Sequence, residues 1–235
     1  DFTRNISGEL YGLYYTASWM EVMKTLNTGA ETLNVLEIAS GESDPVPRGL
    51  ESYSRGKGKY VTANLNKDLT RGLRKKTADL KIDIEIIEDK ALYLDQYFST
   101  DTFHLTAFQH AVNDMIQTIA AEKEGIDTIH NDWFDILPDM VKAVTEYYRQ
   151  DNLKAAAYKE FIEQIGVCRK LTKKGGVLAF NTHVFQMDLD SGYPLEFYSN
   201  YIELARQWIA ESDLKLNEIG LENFDSKWWL FLKKV

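Results

Sequence analysis

Cysteine is all but missing from this chain: Cys168 is the one residue of its kind in 235. That excludes an intrachain disulfide framework and a cysteine-rich zinc site. Cys168 lies in "FIEQIGVCRKL", on an apolar helical face, where a small buried thiol is the simple reading. Proline is scarce too, with four residues, and two of them crowd into "SDPVPRG" at Pro45 and Pro47, the pattern of a loop feeding a helix start. Positive charge is outnumbered: 27 Lys and Arg against 36 Asp and Glu give a net charge of −9 and a pI near 5.0. A broad phosphate-binding face needs clustered cations, so no nucleic-acid partner is expected. The one dense basic run, "RGLRKK" at Arg71 to Lys76, reads as the solvated end of a helix. No stretch approaches the ~18 consecutive apolar residues of a membrane span, and "DFTRNISGEL" lacks the shape of a signal peptide. The expectation is a cytoplasmic protein without a membrane partner. "NIS" at Asn5 fits the glycosylation pattern, which is short enough to arise by chance.

An apolar share of 44% and an aromatic share of 12% describe an ordinary globular core, and the length suits one α/β domain over residues 1–235. Short apolar runs rich in branched residues read as buried strands at 34–39, 59–65, 82–87, 103–108 and 176–185, with two more at 214–222 and 227–235. Helical spacing fills the intervals. In "NDWFDILPDMVKAVTEYYRQ", for example, Phe134, Leu137, Val141, Val144 and Tyr148 recur on one face. Strand alternating with helix predicts a doubly wound, seven-stranded, mostly parallel sheet with helices on both faces. The last two runs lack an intervening helix, so the last strand is expected to be antiparallel. Residues 1–30 are expected to form a helical lid, and roughly 116–155 a helical insertion between the fourth and fifth strands.

"VLEIASGESD" at Val35 to Asp44 ends the first strand in a small-residue turn. In open α/β sheets ligands sit beyond the carboxyl ends of the strands. Gly41 there permits close backbone approach, or simply a tight turn. Glu37, Glu42 and Asp44 surround the turn, which suits a ligand carrying positive charge better than a pyrophosphate.

These residues resemble the first motif of class I (Rossmann-like) S-adenosylmethionine-dependent methyltransferases. "YVTANLN", "IIEDKALYL", "FHLTAFQHAVND", "KKGGVLAFNTHVF" and "KWWLFLKK" follow where that family's later strand motifs fall, so the resemblance covers roughly residues 31 to 235. It implies S-adenosylmethionine as cofactor. Glu37 would meet the methionyl amine through water, and Ala39 and Gly41 would lie against the cofactor. Asn64 would face the ribose, Asp89 would accept from the adenine amine, and Lys90 and Ala91 would line the base. Gln109 and His110 would follow the fourth strand near the transferring methyl. Three positions depart from the family pattern: Ser43 where a second glycine is usual, Asn64 where a carboxylate is usual, and His104 where Asp is common.

After the fourth strand, "QHAVNDM" gathers polar groups in apolar surroundings. A helix beginning near His110 would place His110 and Asp114 on one face, with His110 as a base and Asp114 orienting it or raising its pKa. The alternative is that His110 caps the helix or packs on substrate. Asn113, His130 and Trp133 are candidate substrate contacts, "HND" at 130–132 being equally a helix cap. Tyr15, in the aromatic span "ELYGLYYTASWMEVM", is a candidate lid contact by cation–π attraction, although Tyr11, Tyr15 and Trp19 also recur as a packing face. No metal site is expected, since three convergent ligands are wanting. The leading reading is a methyltransferase acting on oxygen or nitrogen of a small-molecule acceptor. The alternatives are a methyltransferase-like protein that binds without turnover, and a nicotinamide-dependent oxidoreductase, which would call for a glycine-rich turn.

Overall fold

A computed structural model describes residues 8–26 and 32–235. Asn5 and its "NIS" lie outside them, as do parts of the 1–30 segment. Seven strands form one sheet: β1 (Asn34–Ile38), β2 (Lys59–Ala63), β3 (Asp83–Ile87), β4 (Phe103–Gln109), β5 (Thr172–Asn181), β6 (Leu216–Ile219) and β7 (Trp229–Lys234). The order is β3-β2-β1-β4-β5-β7-β6. The first five strands pair in parallel, and β7 is antiparallel to both β5 and β6. The doubly wound class expected from the strand–helix alternation is what forms.

The sheet is buried on both faces because its strands alternate between two cores. On β1, Val35 joins one apolar cluster and Leu36 and Ile38 the other; on β5, Val177 and Ala179 part from Leu178 and Phe180 in the same way. One face is covered by α1 (Gly8–Leu26) and α2 (Pro45–Ser54). The other is covered by α4 (Ala111–Lys123), α5 (Trp133–Arg149), α6 (Leu153–Leu171) and, after β5, by α9 (Tyr201–Ala210). Of the remaining helices, α3 (Lys67–Lys76) follows β2, and the short α7 (Gln186–Asp190) and α8 (Leu195–Tyr198) follow β5. Three helices, α4 to α6, thus occupy the crossover from β4 to β5.

The fifth strand differs from its expected range of 176–185. It starts at Thr172, and the register jumps between Phe103 and Leu105 of β4, which face Thr172 and Val177 of β5. The extra residues fit only because Gly176 has no side chain; a Cβ there would meet the His104 carbonyl at 2.8 Å. After a last bond toward β7, from the Thr182 amide to the Trp228 carbonyl, residues 182–185 leave the sheet, and the His183 and Phe185 rings pack against His110 at the end of β4. That departure builds one wall of the site.

Candidate functional site

A cavity of about 400 Å³ opens at the carboxyl ends of β1, β2 and β4 and beside the turn after β3. This is the crevice where open α/β sheets bind ligands. Its floor is the β1 turn. Ala39 and Gly41 both adopt left-handed backbone, with φ of 52° and 57°, a conformation that costs a side chain about 1–2 kcal/mol and glycine little. The turn brings the Gly41 carbonyl to the Asn64 side-chain amide, which donates to it at 2.7 Å. Asn64 therefore offers its Oδ1 as acceptor to anything in the cavity.

Asp89, Lys90 and Ala91 also line the cavity. The Asp89 carboxylate accepts from the Lys90 amide at 2.8 Å and from the Tyr97 hydroxyl at 2.9 Å. Both lysines on the wall are occupied: Lys90 Nζ lies 2.7 Å from Glu122 and Lys76 Nζ 3.1 Å from Glu42. The wall thus presents acceptors and compensated cations, a poor receptor for phosphate and a suitable one for a cationic nucleoside.

Asn66 has a structural part here. Its Oδ1 caps α3 by accepting from the Asp68 and Leu69 amides, while its Nδ2 donates to the carbonyls of Thr128 and Asn131. One side chain so fastens the α4–α5 loop to the β2–α3 turn. Asn66→Ala is expected to lose about 2 kcal/mol of stability, a lost cap together with unpaired carbonyls, read from urea unfolding.

At the far end, Gln109 finishes β4. Its Oε1 accepts from the Trp19 indole, and its Nε2 donates to the Tyr11 hydroxyl at 2.8 Å. His110 follows in left-handed backbone (φ 54°), and α4 begins at Ala111. Its ring is buried between Phe185, 4.6 Å away, and His183, 4.4 Å away. Nε2 lies 3.0 Å from the Tyr198 hydroxyl and Nδ1 3.3 Å from the Thr182 hydroxyl. Tyr198 in turn donates to Asp188.

Several expected site residues stand elsewhere or act otherwise. Glu37 is fully buried and off the cavity wall. Strand alternation puts it on the same face as Val35, where one oxygen accepts from the Tyr60 hydroxyl and Oε1 has no partner. Tyr15 is packed beneath α1 against Tyr11, His183 and Trp229 and does not reach the cavity; Tyr11, one helical turn earlier, does. His130 is exposed and pairs with Asp127, while Asp132 caps α5, so "HND" is cap chemistry. Trp133 and Asn113 do line the cavity.

The His110–Asp114 pairing does not form either. Asp114 accepts from the Asn113 amide instead, and burial takes the His110 imidazole down to about 3. An imidazole that weakly basic is a poor general base. Ser43, Phe134, Phe185, Met187 and Asp188, none of them named as a site residue from sequence, also line the cavity. Phe134 and Met187 are about half exposed at the rim. Among the described residues no three of His, Cys, Asp and Glu gather as a metal site, and no helix is long and apolar enough to cross a membrane.

No family model and no curated protein matches the sequence. Solved structures match the fold. A SAM-dependent methyltransferase from Aquifex aeolicus superposes with a TM-score of 0.52 at 10% identity, over 91% of this chain and 87% of that one. The CurJ carbon methyltransferase gives 0.52 at 10% identity, over 93% of this chain and 52% of the other, so this chain spans about half its length. A putative rRNA-methylase from Clostridium thermocellum gives 0.50 at 12%, over 92% and 91%. The chain has the class I Rossmann-like methyltransferase fold. The rRNA-methylase also corrects the expectation that nucleic acid is no partner. Net charge is a whole-molecule quantity, whereas recognition is local, and the last turn of α3 here carries Arg74, Lys75 and Lys76 together.

Proposed function

We propose that this protein is an S-adenosylmethionine-dependent methyltransferase whose acceptor is a small molecule methylated on nitrogen or oxygen. The observation that carries the reading is the acceptor-rich, cation-compensated cavity at the strand ends of a methyltransferase fold. The β1 turn with Gly41 would hold the methionyl side, the Asn64 Oδ1 the ribose, and the Asp89 carboxylate the adenine amine, with Lys90 and Ala91 against the base. When bound, the sulfonium supplies an electrophilic methyl group. The chain's own task is then placement and the exclusion of water. Gln109, held by Trp19, fixes Tyr11 over the cavity, while Phe134 and Met187 narrow the mouth around a small acceptor.

Isothermal titration with S-adenosylhomocysteine tests the reading, with a micromolar dissociation constant expected. Binding of NADH instead would indicate a nicotinamide enzyme, and silence toward both a protein without a nucleotide ligand. Asp89→Ala should weaken S-adenosylhomocysteine binding by about 1–3 kcal/mol through loss of an acceptor. An unchanged dissociation constant would remove Asp89 from the adenine site.

A further inference from the structure

Two carboxylates face the end of the cavity nearest β4 and β5. Asp114 comes from the first turn of α4, and Asp188 from α7, beyond β5. They stand close enough to repel one another, and among the described residues neither forms an ion pair with a lysine or arginine. Their partners are neutral: the Asn113 amide donates to Asp114 and the Tyr198 hydroxyl to Asp188. An acidic pair without a cationic partner, one member buried and the other partly so, is costly unless a proton or something positive joins it.

A second feature of the same recess points to a donor ligand. Asn113 is 2% exposed and lines the cavity, yet its Oδ1 has no hydrogen-bond partner. Its Nδ2 is fixed on Asp114, so the orphaned atom is an acceptor. Phe185 and Tyr11 add aromatic walls, which attract an ammonium further. Every unfilled feature of the recess therefore asks for positive charge and N–H groups.

We infer that the methyl acceptor is a small primary or secondary amine, captured as its ammonium ion by Asn113, Asp114 and Asp188. The inference rests on the methyltransferase reading and sharpens it from oxygen or nitrogen to nitrogen. An ammonium has no lone pair, so it must shed a proton before alkylation. The carboxylate pair is the base at hand, and the proton passes from nitrogen to a carboxylate oxygen. The nitrogen lone pair then forms the C–N bond as the methyl–sulfur bond breaks, with that bond's electrons remaining on sulfur, and the proton leaves to water. His110, Tyr198 and Tyr201, together with Tyr11 from α1 and Tyr193, surround the pair from neighbouring elements. None of these groups offsets the pair's charge at neutral pH: burial keeps the His110 imidazole neutral, and the phenols, their pKa values raised, are neutral as well. Burial lifts Asp188 to about 6, and burial together with Asp188 lifts Asp114 well above the usual carboxylate range. Both shifts favour the protonated carboxyl, and an arriving ammonium ion would favour the ionised form and release the proton.

The test is calorimetric titration at pH 7.5 of the protein saturated with S-adenosylhomocysteine, using matched probes: ethylamine against ethanol, and phenethylamine against phenethyl alcohol. Each is run in two buffers of different ionisation enthalpy. At least one amine is expected to bind tenfold or more tighter than its alcohol, with proton release. Asp188→Asn and Asp114→Asn, each isosteric, should abolish the preference at unchanged S-adenosylhomocysteine affinity; an amine preference that survives both overturns the inference. Release is measured on the parent protein, so the inference remains testable if a variant fails to fold. Alcohols binding as well as amines, or no amine binding while S-adenosylhomocysteine binds, overturns the inference and leaves the methyltransferase reading standing. Proton release on S-adenosylhomocysteine alone, with none on adding amine, also overturns it, because the recess would then serve the nucleoside's own ammonium. Amine binding without S-adenosylhomocysteine binding sinks the methyltransferase reading and keeps the amine site.

Discussion

Glu37→Gln is expected to leave stability unchanged near pH 4 and to raise it above that of the parent by several kcal/mol near pH 8.5. Glu37 is completely buried at the centre of the sheet, under α1 and α2. Burial dominates its pKa. The Tyr60 hydroxyl, donating to one oxygen, offsets part of the effect, and the Asp44 carboxylate adds to it, leaving Glu37 at about 8 against an ordinary 4.5. The sign follows from proton counts. Between pH 4.5 and about 8 the unfolded chain has released this proton and the folded chain keeps it. The stability present below pH 4.5 is therefore lost progressively as pH rises through 8. Each pH unit in that window removes about 1.4 kcal/mol, on the order of 3–5 kcal/mol in all. Glutamine keeps the acceptor for Tyr60 and carries no charge, so its curve should stay flat where the parent's falls. Thermal or urea melts of both proteins from pH 4 to 9 measure the divergence. Parallel curves would mean that the carboxylate finds compensation in the fold.

The same residue shows where sequence reading reaches and where it stops. "VLEIASG" marks the end of a central strand and a tight small-residue turn, and both stand in the fold. A strand's period of two then decides which side chains of the motif reach the crevice. Glu37 shares its face with Val35 and Tyr60, so it turns away from the cavity. The alternation was present in the letters, but which face carries α1 and α2 was not. Tyr11 and Tyr15 pose the same difficulty one layer out: helical spacing puts both on the packed side of α1, and only the docking angle of that helix decides which ring borders the cavity.

The wall from β5 was harder to read. "VLAFNTHVF" resumes its apolar character at Val184 and Phe185 after the polar Asn181, Thr182 and His183, and that conceals the exit from the sheet after Asn181. Phe185 consequently arrives at the site from the end of a stretch that reads as strand, and Asp188 from just beyond it, where no motif was legible. Asp188 and Asp114, 74 positions apart in sequence, line the same cavity only through the crossover geometry. Asn66, by contrast, was legible in principle, since an asparagine directly before a helical pattern is a capping signal.

Trp19→Ala should be the most disruptive single change on the α1 side, with a loss of about 3–5 kcal/mol and a loosened cavity end. Trp19 is fully buried, packs edge-on against Trp229 at 5.2 Å, and donates its indole N–H to Gln109. Truncation removes a large apolar ring from a close-packed layer and leaves a cavity that only partly collapses. It also orphans Gln109 Oε1, a further cost of about 1–3 kcal/mol if no water reaches it. Trp19→Phe separates the two contributions, because it retains most of the ring and removes the donor; a loss of about 1–3 kcal/mol is expected for it. Functional reach comes through the next bond. Gln109 holds the Tyr11 hydroxyl at 2.8 Å over the cavity, so freeing Gln109 should weaken S-adenosylhomocysteine binding even in folded Trp19→Phe protein. Tyr11→Phe, which keeps the ring and removes only the hydroxyl with its bonds to Gln109 and Ser43, should reproduce that affinity loss with little change in melting temperature. If Trp19→Phe binds as tightly as the parent while its stability falls, the Trp19–Gln109–Tyr11 chain secures the helix to the sheet and contributes nothing to ligand binding.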